Sequence, residues 1–276
     1  MAKPDSRGAA DSVRSWRSEV DEKLLHGAGF RGVVAGREHV KRIRREVIRR
    51  AGHGLLRDDV DSTHPTARRG AMFIKRTTDI IAASLGLILL SPLFLLIAIA
   101  IKLTSKGPVV YMQYRLGRNG TWFPTVKFRS MVVDADERLQ RLLDEDDDAR
   151  AEFNAFHKLR DDPRVTKIGS ILRSTSLDEL PQLINILLGQ MSLVGPRAYL
   201  AFEVLAMPDT DRILKILSVK PGLTGFWQVG GRNNVEFDER LDMDVFYIQN
   251  WSPGMDFYLV VNTVWIMLFG RGTGAA

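Results

Sequence analysis

The 276-residue chain contains no cysteine, which excludes disulfide scaffolds, thiol nucleophiles and cysteine-ligated zinc or iron–sulfur centres. Covalent chemistry therefore has to come from oxygen or nitrogen side chains. Long hydrophobic runs are almost as scarce, since one segment alone reaches the length of a membrane-crossing helix. That segment starts some 80 residues in, too far along and too long for a secretory signal, so it is expected to stay in the mature protein. No internal repeat is legible. The acidic run Asp144 to Asp148 lacks the spacing and the turn glycine of a calcium loop, and is expected to be solvated surface.

What remains is a globular composition, 45% hydrophobic and 26% charged, with room for one or two domains around a real core. The net charge of +6 is unevenly spread: residues 1 to 76 carry 18 basic and 10 acidic side chains, and the other 200 sum to −2. Residues 38 to 50 place Val40, Ile43 and Val47 at helical spacing among six Lys and Arg, which suits a helix on anionic lipid. Nucleic-acid binding is the rival reading of such a cluster.

The hydrophobic run, Ile80 to Ile101, is 22 residues without a charge. Ser91-Pro92 stands at its midpoint, where the ring removes a backbone donor and clashes with the carbonyl of Ile88, predicting a kink. Each arm is then about 18 Å long, roughly half of a hydrocarbon core. Cationic flanks on both sides (Arg68, Arg69, Lys75 and Arg76 before; Lys102, Lys106, Arg115 and Arg118 after) favour the same, cytoplasmic compartment for the two ends. A hairpin that enters and leaves by one face fits these features. A single crossing helix with a tolerated proline is the alternative.

Further along, Val109 to Tyr114 and Thr121 to Phe128 are expected to be two strands around a turn at Gly117 to Gly120, followed by a charged helical stretch from Val132 to about Leu159. Apolar spacing between Ile168 and Leu188, interrupted at Arg173 to Ser176, predicts two helices with a corner. Phe257 to Phe269 is too short to span and is expected to be a core or interfacial helix. The corner carries the chemistry. In Ser176-Leu177-Asp178-Glu179-Leu180-Pro181-Gln182, the Ser176/Glu179 spacing fits a capping box, and Asp178 in the first turn would be favoured by the helix dipole without doing any chemistry. Arg173, Lys127 and Arg129 would make the same place suitable for phosphate, where an ionised Asp178 could attack phosphorus or carry Mg²⁺.

These residues resemble the bacterial sugar transferases that act on polyprenyl phosphate, the monotopic phosphoglycosyl transferases. The similarity covers about residues 72 to 272. It runs through Lys75-Arg76 with Asp79, Ser91-Pro92, Lys127 to Met131, Arg173 with Ser176 to Gln182, Met191 to Arg197, and Pro221 to Gly225 continuing to Trp227-Gln228-Val229 and Gly231-Arg232-Asn233. The resemblance implies an α+β, mainly helical enzyme at the cytoplasmic face of the bacterial inner membrane. Its parts would be a basic N-terminal extension (1–70), a re-entrant helix-break-helix hairpin (72–106) and a catalytic domain with a small β-hairpin (107–276). The implied reaction moves a sugar 1-phosphate from a UDP-sugar to undecaprenyl phosphate with release of UMP and needs Mg²⁺, at the start of exopolysaccharide, O-antigen, capsule or glycoprotein glycan synthesis. The resemblance makes Asp178 the nucleophile, puts Glu179 beside it assisting metal or proton, and assigns Lys127, Arg129, Arg173 and Arg197 to anion contacts. Membrane lipid is a further implied partner, nucleic acid is not, and a homodimer is left open. One departure is Pro196-Arg197-Ala198, where many members read Pro-Arg-Pro. A catalytically silent assembly or regulatory protein of the same fold, binding nucleotide or lipid phosphate, is the competing reading.

Overall fold

The apolar run folds as two helices, α1 (Arg69–Leu89) and α2 (Ser91–Thr104), joined at Leu90 and bent by 58°. Pro92 has no N–H for the Ile88 carbonyl, and the Ser91 hydroxyl donates to that oxygen instead, at 2.8 Å. The break is thus made by proline and satisfied by serine. In this computed structural model the described residues are 69–156, 159–200, 203–204, 209–230 and 236–269. The amphipathic basic helix expected at 38–50, the rest of the N-terminal extension and Gly231-Arg232-Asn233 lie outside them. Among the described residues no single helix is long and apolar enough to cross a bilayer, while the bent pair together passes on length and composition.

The hairpin has two faces. Ala83 packs with Phe123, Leu183, Ile186, Met191 and Ala198, while Ile97 and Ile101 pack with Phe128 and Leu172. Phe94 meets Phe128 edge to face at 5.4 Å. On the other side Ile80, Ile81, Leu85, Ile88, Leu89, Leu95, Leu96, Ile99 and Leu103 are exposed. So many uncovered aliphatic side chains on one bent helix pair is not the surface of an element solvated all round.

Strands β1 (Val110–Leu116) and β2 (Trp122–Phe128) form the expected antiparallel hairpin, with Tyr111 opposite Lys127. A 3-10 turn at Arg118–Gly120 joins them, with Asn119 and Gly120 at positive φ. Residues 134–159 form a separate compact unit containing α3 (Ala135–Glu145) and α4 (Asp147–Phe156). The charged stretch is helical as expected, broken at Asp146, and Asp144 to Asp148 are all exposed.

Back in the main unit, Thr166 caps α5 (Lys167–Ser174) by accepting from Gly169 N. A 3-10 helix (Leu177–Gln182) and α6 (Leu183–Leu187) follow, giving the expected corner. The sequence did not reveal the parallel pairing of β3 (Ser192–Val194) with β4 (Gly222–Thr224). A Cβ on Gly222 would lie 2.1 Å from Gly195 N, so only glycine allows this approach. Helix α7 (Thr210–Leu217) precedes β4, and α8 (Phe226–Gly230), α9 (Phe237–Asn250) and α10 (Pro253–Phe269) follow it. Helix α10 buries Leu259 and ties Thr263 to Thr224 at 2.7 Å, while Phe257, Tyr258, Val261, Val264, Trp265 and Phe269 stay exposed. Among the described residues the fold is α+β and mainly helical, with two two-stranded sheets.

Two of the flanking cations do not lie on a headgroup surface as the charge pattern implied. Lys75 donates to Asp256 Oδ2 at 2.6 Å and to Val194 O at 2.9 Å, and Arg115 is buried. Both charges were drawn inward because the folded chain offers each of them oxygen acceptors.

Candidate active site

Lys127 reaches the corner from β2, and Glu179 reaches it from the 3-10 helix; the two form a close ion pair. Asn185 sets their register. Its Oδ1 accepts from Val126 N at 3.0 Å and its Nδ2 donates to Pro124 O at 2.7 Å, so α6 is fastened to the residues just before Lys127. Asn185 is 1% exposed, and nothing in its local sequence distinguishes it from an ordinary helix residue.

Asp178 and Glu179 are neighbours with opposite electrostatic fates. Burial pushes Asp178 up to about 6, with the Glu179 charge adding to the rise and Lys127 and Arg173 opposing it. Burial would also raise Glu179, but the Lys127 charge and hydrogen bond, with Arg197 and Arg115 behind them, hold it at about 2. Glu179 is therefore a fixed negative charge across the neutral range and is unsuited to exchanging protons. The Asp178 carboxylate, 9% exposed, forms no ion pair among the described residues and ionises near neutrality.

The capping box does not form. Ser176 adopts left-handed φ and ψ (58°, 17°), its side chain makes no capping hydrogen bond, and the Glu179 carboxylate turns to Lys127 instead. A carboxylate next to an ammonium gains more from a charge-assisted bond than from a neutral backbone N–H. The segment is also 3-10 and contains Pro181, so it is not the α-helical terminus that the spacing implied.

Arg173, at the end of α5, is fixed by its Nε donating to Ser130 Oγ at 3.0 Å. Burial lowers it and the Asp178 charge raises it, which places guanidinium and carboxylate in mutual electrostatic range. Ser130 is held in turn by pairing of the residues around it, with Thr166 N donating to Ser130 O and Met131 bridging Val165. Arg129 is placed differently from the other predicted anion contacts. Its terminal nitrogens donate to the carbonyls of Ser105 and Lys106 and to Ser105 Oγ, so it fastens the end of α2 to the end of β2.

Behind Glu179 lies a second polar cluster. Arg197 stands 5.6 Å from the Trp227 ring centroid, with Arg240 at 5.0 Å from the same ring. Asp244, fully buried, accepts from Arg197 N and the Tyr199 hydroxyl, and burial pushes it up to about 7. Arg115 donates to Ala198 O at short range, so Ala198 is anchored through its carbonyl. Among the described residues Arg115 Nε, Arg197 Nε, Trp227 Nε1, Gln228 Oε1 and Asp244 Oδ1 are buried without a hydrogen-bond partner. Such a concentration of orphaned polar atoms in one place suits a polar ligand.

Sequence reasoning missed Arg115, Tyr199, Trp227, Arg240 and Asp244 as parts of this cluster. Inward-facing Arg115 on a strand was the available signal, and it was read as a membrane flank. No group of three His, Asp or Glu suited to a metal occurs among the described residues. The carboxylates of Asp178 and Glu179 fit Mg²⁺ only with further oxygens from a phosphate ligand or water.

The family described as bacterial sugar transferase matches residues 70–270. The chain belongs to that family. This sugar transferase is 45% identical over 199 residues to the exopolysaccharide production protein ExoY of Rhizobium meliloti, an alignment that covers 72% of the chain and 87% of ExoY. It is also 45% identical over 203 residues to the undecaprenyl-phosphate galactose phosphotransferase of Salmonella typhimurium, covering 73% of the chain and 42% of that enzyme. The UDP-glucose:undecaprenyl-phosphate glucose-1-phosphate transferase of Klebsiella pneumoniae is 40% identical over 205 residues, with 70% and 40% coverage. The sugar transferase thus spans most of the length of ExoY and under half that of these longer relatives. All three alignments are long enough to include most of the hairpin-to-α10 region described above.

Proposed function

We propose that this sugar transferase moves a sugar 1-phosphate from a UDP-sugar to undecaprenyl phosphate, with release of UMP, by way of a phosphosugar carried on Asp178. The observation that carries the reading is an Asp178 carboxyl raised to about 6 between Lys127 and Arg173, beside a Glu179 that stays charged. The names of the relatives, which act on undecaprenyl phosphate with galactose or UDP-glucose, support the substrate class.

In the first step an Asp178 oxygen attacks the phosphorus bonded to the sugar. A P–O bond to the carboxylate forms, and the bond bridging the two phosphorus atoms breaks with its electron pair leaving on UMP. In the second step an oxygen of undecaprenyl phosphate attacks the same phosphorus, and the carboxylate leaves unchanged. Neither step requires a general base, because both nucleophiles are anions. Arg173 and Lys127 reduce repulsion between those anions and the donor phosphates, and the Arg197 cluster with its orphaned donors suits the nucleotide end. Asp178 and Glu179 would hold Mg²⁺ together with donor phosphate oxygens, where the ion would neutralise charge on the departing phosphate.

The bent α1–α2 pair, with one face in the core and the other apolar and exposed, supports a re-entrant hairpin that keeps the site at headgroup depth on the cytoplasmic face. A lipid-linked phosphate cannot leave the interface, so its enzyme has to come to it. The test incubates purified protein with undecaprenyl phosphate, Mg²⁺ and a panel of UDP-sugars while UMP is followed. UMP release with one sugar, and its loss in Asp178→Asn with membrane association intact, is expected. A wild-type protein that binds donor without turnover would overturn the proposal in favour of a silent binding protein. Incubation with donor alone should add one phosphosugar mass at residue 178.

A further inference from the structure

A cavity away from Asp178 is lined by Met72, Arg76 and Asp79 of α1, by Val194 of β3, and by Val219 and Lys220 before β4. Three cations line it, and one of them, Lys75, is taken by Asp256 Oδ2 at 2.6 Å, which leaves Arg76 and Lys220. Arg76 uses Nη1 and Nη2 on the carbonyls of Ile186 and Leu187, at 2.6 and 2.9 Å. The Lys220 side chain makes no hydrogen bond or ion pair with any described residue. Both groups converge on Gly189, where a Cβ would stand 3.5 Å from Arg76 Nη2 and 3.7 Å from Lys220 Nζ. The one carboxylate in the cavity, Asp79, has Oδ1 occupied by Ser192 Oγ and Leu193 N.

An ammonium without a partner beside a guanidinium is a site short of one anion. Burial, and next the Arg76 charge, lower Lys220 from its ordinary value, and the Asp79 charge opposes them without reversing the shift. Position indicates what the anion is attached to. Arg76 lies one helical turn before Ile80, where the uncharged run begins, and Leu188 and Ile184 beside Gly189 are exposed together with Ile80 and Ile81. A basic pair at the upper edge of an exposed apolar face matches a phosphate with hydrocarbon below it.

We infer that Arg76 and Lys220 bind the phosphate of a membrane lipid at a site distinct from the Asp178 centre. The inference rests on the hairpin reading, because only a hairpin in the bilayer brings this cavity to headgroup depth.

The test measures partition of the full chain into phosphate-free glycolipid vesicles and into the same vesicles containing phosphatidylglycerol. Wild type should bind the second set more tightly, Lys220→Gln should lose about five-fold of that surplus, and Lys220→Arg should keep all of it, with the share owed to the basic residues 38 to 50 common to all three. An undiminished surplus in Lys220→Gln, or a difference between wild type and Lys220→Gln that inorganic phosphate alone abolishes, overturns the inference. Failure of wild type to bind glycolipid vesicles would instead remove the hairpin reading, and with it the lipid origin of the phosphate. Kinetics then separate the two lipid sources. An unchanged KM for undecaprenyl phosphate in Lys220→Gln identifies bulk phospholipid, and a raised KM makes the cavity part of the acceptor's binding site and overturns a separate one.

Discussion

Lys127 pairs with Glu179 and not with the adjacent Asp178, and this choice sets the chemistry of the corner. Paired, Glu179 is held at about 2; unpaired and buried, Asp178 rises to about 6. One ammonium thus makes two neighbouring carboxyls unequal, one a constant charge and the other a carboxyl that ionises near neutrality.

The pH profile should follow. With Asp178 attacking as the carboxylate, as proposed, kcat/KM is expected to rise from pH 5 to pH 7 with an apparent midpoint of about 6. Lys127 lowers Asp178, so Lys127→Met should move that limb to higher pH as well as reduce kcat by about 10² or more. An unshifted midpoint in the variant would show that Lys127 does not act on Asp178.

Asp244 should make stability depend on pH. Its carboxyl is raised from 3.8 to about 7 in the folded protein, which therefore holds the proton more tightly than the unfolded chain does. That contribution is complete below about pH 4 and is lost as pH rises through about 7, a change of roughly 2–4 kcal/mol. Thermal melts of wild type across this window should therefore fall with pH more steeply than those of Asp244→Asn, which carries no proton to lose.

Gly169 is a packing requirement. A Cβ there would lie 1.8 Å from the Ser130 carbonyl oxygen, and Ser130 orients Arg173. Gly169→Ala should destabilise the fold by about 1–3 kcal/mol or more. Its activity should drop beyond what the folded fraction explains, as denaturant titration alongside turnover would reveal.

The absence of native cysteine permits a clean topology test. Gly70 has open space around it and Lys106 is exposed, and the two bracket the bent pair. Cysteine placed singly at either position should resist an impermeant maleimide in intact cells and react after lysis. Labelling of one position and protection of the other from outside would mean that the segment crosses the bilayer.

Much of this molecule is local and was therefore legible. Charge-free length and Ser91-Pro92 foretold the broken helix pair, because a missing backbone donor acts within one turn. The turn at Gly117 to Gly120 foretold β1 and β2 around it, and the Asp178-Glu179 corner stood out through the Ser176/Glu179 spacing with Arg173 just upstream. The sequence by itself determined which chemical groups are present and which short segments bend, extend or coil. Only the tertiary structure decided which charges meet. Lys127 finds Glu179, 52 residues away; Arg129 closes on Ser105 and Lys106; Arg115 and Lys75 turn inward; and Ser176 gives up its cap. The physical reason is that a charged side chain takes the strongest partner its surroundings offer. Those surroundings are fixed by strand register and core packing between segments far apart in the chain, which no local spacing encodes.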